Sequence, residues 1–151
     1  MEGSQIRGEE ARTEVEVGGD DGAVGVSRLE LQLPHTTESV RRARRTIAAF
    51  LDPSDVPRPV VDDLLLLVSE LVTNAVIHAG SPAVVRLDAD VERIKVAVAD
   101  LDPATQPSVA DPEPTASSGR GVLLVDRLAA RWGVEPQHQG KVVWFELPRE
   151  A

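Results

Sequence analysis

Glu70-Leu71-Val72-Thr73-Asn74-Ala75-Val76-Ile77-His78-Ala79 is the stretch on which the fold turns. It ends an apolar run that opens at Val60, behind Pro57 and Pro59, and is closed by Gly80-Ser81-Pro82. Prolines suit a helix start and glycine its end, so the run predicts a helix. Four positions advance a helix by about 40°, which stacks Glu70 and Asn74 on one face. Leu66, Leu67 and Ile77 neighbour them there, while Val61, Leu65, Val68 and Val72 cover the opposite side. A helix apolar nearly all round is expected to be buried. A carboxylate and a carboxamide inside it need partners, because burying them unpaired is costly. They either carry chemistry or reach a polar rim, where they would cap a neighbouring strand.

Working outward, Leu29, Leu31 and Leu33 alternate with Arg28, Glu30 and Gln32, which predicts a strand over 28–33 that Pro34 ends. Thr36 or Thr37 offers an N-cap for a helix reaching about Leu51, with Val40, Ala43, Ile47, Phe50 and Leu51 on one face. Arg41, Arg42, Arg44 and Arg45 are expected as its solvated face. Beyond Pro82, strands are predicted over 83–90 and 94–100, joined by a hairpin through Val91-Glu92-Arg93. The segment 101–118 holds Pro103, Pro107, Pro112 and Pro114 and no period, and loops of that length are usually functional or mobile. Gly119-Arg120-Gly121 then opens a helix, and strands near 131–135 and 141–147 turn through His138-Gln139-Gly140. The order β-α-α-β-β-loop-α-β-β predicts an α/β (α+β) sandwich of two layers. Its sheet would be mixed, mostly antiparallel, and covered by helices on one face.

The chain has 151 residues, 42% hydrophobic and 27% charged, which fits one globular domain. With no cysteine there is no disulfide framework, thiolate metal site or cysteine nucleophile. The net charge of −9 argues against nucleic acid as a direct ligand. Residues 1–30 carry eight acids against three arginines, so more than half of that charge lies in the first fifth of the chain. Residues 1–27, rich in Gly, Glu and Asp, are expected to be an acidic tail, leaving 28–151 as the domain. Asp62, Asp63, Glu70 and Asn74 interrupt the greasiest segment, so no membrane span is expected and a cytoplasmic location is the default.

Two further signals accompany Glu70 and Asn74. Asp100 ends an apolar strand where the long loop begins, and Ser117-Ser118-Gly119-Arg120-Gly121 precedes an apolar helix. Glycines there let backbone approach a ligand, and a helix start presents free N–H groups to an anion. In this order the signals resemble the GHKL (Bergerat-fold) ATPase superfamily, and within it the small anti-sigma-factor serine kinase branch. Glu70–Ala79 looks like that family's N box, Asp100 its G1 aspartate and Gly119–Val125 its G2 box. Arg131-Trp132-Gly133 with Gly140-Lys141-Val142-Val143-Trp144 resembles its closing hairpin.

The resemblance implies ATP and Mg²⁺ as cofactors. Asn74 would ligate the metal, Glu70 would deprotonate the attacking hydroxyl, and Asp100 would accept a hydrogen bond from the adenine amine. Residues 102–118 would be a lid, with Gly119, Arg120 and Gly121 on the phosphates. The implied partners are a sigma factor and an anti-sigma-factor antagonist, with a homodimer left open. Leu101-Asp102-Pro103-Ala104 departs from the glycines usual after the G1 aspartate, and proline removes a backbone donor there. That departure keeps a second reading in play, a non-catalytic nucleotide-sensing interaction module with weak ATP binding. A detached histidine-kinase ATP domain ranks last, since no phosphoacceptor helix pair is expected before residue 28.

Overall fold

In the computed structural model the described residues are 11–17, 25–51, 55–101 and 124–150, residues 11–17 and 25 by backbone alone. Strands β1 (Ala11–Val17), β2 (Gly25–Leu33), β3 (Ala83–Ala89), β4 (Arg93–Asp100), β5 (Arg131–Pro136) and β6 (Lys141–Pro148) form one sheet in the order β1-β2-β3-β4-β6-β5. Helices α1 (Glu38–Phe50) and α2 (Arg58–Thr73) connect β2 to β3. The α2 helix runs directly into a π-helical turn, Asn74–His78. Residues 124–128 are also helical. Every pairing between neighbouring strands is antiparallel, which narrows the mixed sheet expected from sequence to a uniform one.

The period-2 pattern sorts each strand into two faces. Leu29, Leu31, Leu33, Val85, Leu87, Ile94, Val96, Val98, Val143, Phe145 and Leu147 are buried on the helix side. Ala43 and Ile47 of α1 and Leu64, Leu67, Val68, Leu71 and Val72 of α2 complete that core. The opposite face is open. Across it Arg28, Asp88, Lys95, Glu146 and Arg131 stand opposite one another on five successive strands, alternating in sign. Arg28 meets Asp88 at 3.3 Å and Arg131 meets Glu146 at 3.9 Å. An exposed pair such as Arg28–Asp88 is worth about 0–1 kcal/mol, so it selects register more than it adds stability. Lys95 also lies 4.8 Å from the Trp144 ring centroid. That indole covers Gly133, where an added Cβ would come within 2.8 Å of its Nε1.

Three expectations change. Strand β1 lies inside the stretch 1–27 read as a tail, and β2 begins at Gly25 rather than at residue 28. In the β1–β2 register Arg12 stands opposite Glu30 and Glu14 opposite Arg28, extending the alternation of charge to a sixth strand. The α2 segment is buried on one side only, for Leu66 is 39% and Ile77 42% exposed. The α1 helix packs beside it on the same face of the sheet, and Arg44 Nη1 donates to Ser69 Oγ at 2.8 Å across the two helices. Thr37 stands at the N-cap of α1 without a side-chain capping bond, and the nearby Ser39 hydroxyl donates to the Pro34 carbonyl at 2.5 Å. Among the described residues no helix is long and apolar enough to cross a membrane.

The β3–β4 hairpin turns on Asp90, whose Oδ1 accepts the N–H groups of Glu92 at 2.8 Å and Arg93 at 2.9 Å. The hydrogen bond from the Arg93 backbone, above all, holds the Asp90 carboxyl below its ordinary value. A depressed native value means that the ionised form stabilises the fold. Its contribution is fully present above the ordinary aspartate range and is lost as pH falls through the lowered value. Asp90→Ala is expected to cost about 1 kcal/mol in urea unfolding at neutral pH, and the difference from the parent should vanish in acid.

Candidate functional site

Glu70 sits in the last turn of α2, half-buried, one helical turn before Asn74. At Asn74 the helix changes character. Ala79 N–H donates to the Asn74 carbonyl at 2.9 Å, an i→i+5 bond, and the ladder widens for one turn. Single π turns within α-helices are often found at functional sites. The side chain of Asn74 is half-buried, yet its Oδ1 is fully shielded and has no hydrogen-bond partner among the described residues. An orphaned carbonyl oxygen in such a place costs about 1–3 kcal/mol.

The strand end bearing Asp100 is tied to this turn through one serine. Gly80, at φ +65°, reverses the chain after the π turn, and Ser81 N–H donates to the Ala75 carbonyl at 2.9 Å. Ser81 Oγ then accepts Leu101 N–H at 2.9 Å, immediately after Asp100. Asp100 follows Ile94, Val96 and Val98 on the helix-covered face of β4, so its carboxylate points toward the layer that contains Asn74.

Asp100 has a partner that the sequence reading missed. Lys141, directly opposite it on β6, places Nζ 2.9 Å from Asp100 Oδ2. The two residues are 5% (Lys141) and 7% (Asp100) exposed. The signal was present in the chain: Lys141 alternates with Val143, Phe145 and Leu147, so a lysine occupies a core-face position, where only a charged partner makes it tolerable. Gly140 brings the β5–β6 turn close enough for this pairing. At φ +92° it lies so near β4 that an added Cβ would fall 1.8 Å from the Asp100 carbonyl oxygen.

Gly119, Arg120, Gly121 and the segment 102–118 lie outside the described residues. His78, expected to be structural, is exposed, as are His35 and His138. A groove of about 520 Å³ lies on the open face of the sheet, floored by Val84, Ala97, Ala99 and Val142; Asp100 and Leu101 border it, and neither Glu70 nor Asn74 lines it. No cluster of three or more His, Cys, Asp or Glu suited to a metal is found among the described residues. Magnesium does not require one, because it keeps several waters and is usually held by one or two protein oxygens together with substrate phosphates. The shielded Asn74 Oδ1 is an oxygen donor of that kind, so the residues fit the ion.

Comparison with known proteins places this geometry. The family described as the histidine kinase-like ATPase domain matches residues 33–147, from the end of β2 to the end of β6. The chain belongs to that family. An anti-sigma F factor of Pasteuria penetrans is 30% identical over 122 residues, covering 78% of this chain and 68% of that protein. An uncharacterized protein of Streptomyces coelicolor is 38% identical over 82 residues, covering 52% of this chain and 78% of its own length. The histidine kinase-like ATPase match contains α1, α2, the π turn, strands β3 to β5 and all but the last residue of β6, and leaves β1 outside.

Breaking a buried ion pair from one side strands the other charge. Lys141→Met is expected to destabilise the histidine kinase-like domain by about 3–5 kcal/mol in denaturant unfolding. Adding Asp100→Asn should recover most of that loss. A double variant as unstable as the sum of the two singles would show that the residues act independently.

Proposed function

We propose that the protein is an ATP-binding anti-sigma factor and serine/threonine protein kinase. It would phosphorylate an anti-sigma-factor antagonist and sequester a sigma factor in the cytoplasm. The observation that carries this reading is the shielded Asn74 Oδ1, without a hydrogen-bond partner among the described residues, one turn beyond Glu70 and tied through Ser81 to the strand end of Asp100. Membership of an ATPase-domain family and the likeness to a protein named anti-sigma F factor support it.

In this reading Asp100 accepts a hydrogen bond from the purine amino group. Asn74 holds Mg²⁺ through its side-chain oxygen, and the ion, when bound, neutralises charge on the phosphate oxygens. Gly119, Arg120 and Gly121 supply donors to the same phosphates. Glu70 accepts the proton of the attacking serine or threonine hydroxyl as its oxygen bonds to the γ-phosphorus. The bond from that phosphorus to the bridging oxygen breaks, and ADP leaves with the electron pair. The exposed guanidinium groups of Arg41 and Arg45 on α1 offer an acidic protein partner a place to dock.

A second reading, a non-catalytic nucleotide-sensing module, is favoured by the Lys141 contact to Asp100, which occupies part of the carboxylate that would read the base. Two variants separate the readings. Glu70→Ala should bind Mg-ATP nearly as the parent does by calorimetry and lose labelled-phosphate transfer to the candidate antagonist by about 10²–10⁴-fold. Asn74→Ala should lose Mg-ATP binding itself. Transfer undiminished in Glu70→Ala removes the proposed base, and binding without any transfer in the parent favours the sensing module.

A further inference from the structure

The open face of the sheet carries a hollow that neither Glu70 nor Asn74 lines. On the interior strand β4 two successive open-face positions hold alanine, Ala97 and Ala99, where the position before them holds Lys95. Val84 and Val142 stand beside Ala99 on β3 and β6, so the floor is short and apolar over three strands. Ala97 faces Trp144 on β6, yet that indole leans away over Gly133, which has no Cβ to hold it off. Pro82 and the exposed Leu101 close one end, together with His138 and Gln139 of the β5–β6 turn. The volume, about 520 Å³, falls within the roughly 300–1,000 Å³ of small-molecule sites. Neighbouring strands lie about 4.8 Å apart and alternate residues of one strand about 7 Å, so the floor measures roughly 10 Å by 7 Å. A fused two-ring aromatic system covers such an area, and a long flexible chain overhangs it.

One side of the hollow is charged. Arg86, opposite Ala97 on β3, is exposed, and its Nε lies 3.9 Å from Glu30 Oε2. Its two terminal nitrogens make no hydrogen bond among the described residues, and they form the planar fork that matches a carboxylate. Glu30 stands in register between Arg12 and Arg86, so two positive residues share one carboxylate along this row. Asp100 borders the hollow too, but its carboxylate lies on the opposite face, 2.9 Å from Lys141 Nζ. The charge left over at the rim is positive. We propose that this hollow is a binding site for a small aromatic carboxylate, with its rings on Ala97, Ala99, Val84 and Val142 and its acid group on the Arg86 guanidinium. His138 and Gln139 at the end of the hollow offer hydrogen bonds to a second polar group on the rings. The site is separate from the one that Glu70 and Asn74 form and does not depend on nucleotide binding there.

The test is an NMR titration of the full chain with 2-naphthoate, followed at the methyl resonances of Val84, Ala97, Ala99 and Val142. Naphthalene-2-carboxamide keeps the rings without the charge, decanoate keeps the charge without the rings, and both run beside it. 2-Naphthoate is expected to shift those methyl signals with a Kd below about 1 mM. The carboxamide and decanoate should each bind about tenfold more weakly. Arg86→Gln should weaken the acid by about tenfold and leave the carboxamide unchanged. Ala99→Leu, which fills the floor at an open-face position, should weaken both aromatic ligands by about tenfold or more. Mg-ATP should leave the naphthoate titration unchanged, whether or not the chain binds the nucleotide. A parent that shows no methyl shifts up to about 10 mM naphthoate overturns the inference, whatever else fills the hollow. Displacement of naphthoate by Mg-ATP also overturns it, by placing the rings in the nucleotide site. Affinity unchanged in a folded Arg86→Gln or Ala99→Leu, or decanoate bound as tightly as naphthoate, removes the aromatic carboxylate as the occupant.

Discussion

Taking an ammonium and a carboxylate out of water together costs several kcal/mol for each ion, and only close geometry with additional hydrogen bonds repays it. The Asp100–Lys141 pair meets that demand at the point where four parts of the chain converge: the end of β4, the start of β6, the glycine turn before β6 and the loop leaving the π turn. Each convergence has its own physical device. Antiparallel register sets the two residues opposite one another, Gly140 removes the Cβ that would keep the strands' ends apart, and Ser81 takes up the first backbone N–H beyond Asp100.

The two faces of the sheet divide the work of folding. Apolar burial against α1 and α2 supplies the driving force, at roughly 25 cal/mol for each Å² removed from water. The open face contributes little energy but much discrimination. A one-residue slip of any strand would turn its core residues to solvent and break the opposite-charge pairings of the Arg28–Asp88–Lys95–Glu146–Arg131 row. Small residues, Ala97, Ala99 and Gly133, gather toward the end of that face that carries Asp100, where Trp144 lies flat over the glycine.

Much of this was legible in the chain. Alternation at Leu29–Leu33 and Ile94–Val98 located two strands and their inner faces, Pro34 marked the end of the first, and Pro57 and Gly80 bounded the second helix. What escaped is instructive. Strand β1 lies among glycines and acids, so its alternation means something only beside the charges of β2. The exposure of Leu66 and Ile77 depends on which side of the helical segment its neighbours leave uncovered, which no period within that segment records. Of the candidate site, Glu70, Asn74 and Asp100 were legible as polar residues in apolar surroundings. Lys141 met the same criterion and was passed over, because a lysine near a turn looks like a solvated one until the strand's phase is counted from its far end.

The π turn at Asn74–His78 has a consequence for how this sequence can change. A residue added to an α-helix rotates everything beyond it by about 100° and advances it by about 1.5 Å. A widened turn absorbs one extra residue locally instead, leaving the flanking helix and the following loop in phase with the sheet. Here that phase is what lets Ser81 meet both Ala75 and Leu101. A chain shortened by a single residue between 74 and 78 could form a perfectly regular helix. It would do so by swinging the Gly80–Ser81 loop away from the strand end, trading local regularity for the link between the helix layer and the sheet. Insertions and deletions among the histidine kinase-like relatives of this protein should therefore avoid these five residues and gather in the longer connections, where length carries no phase.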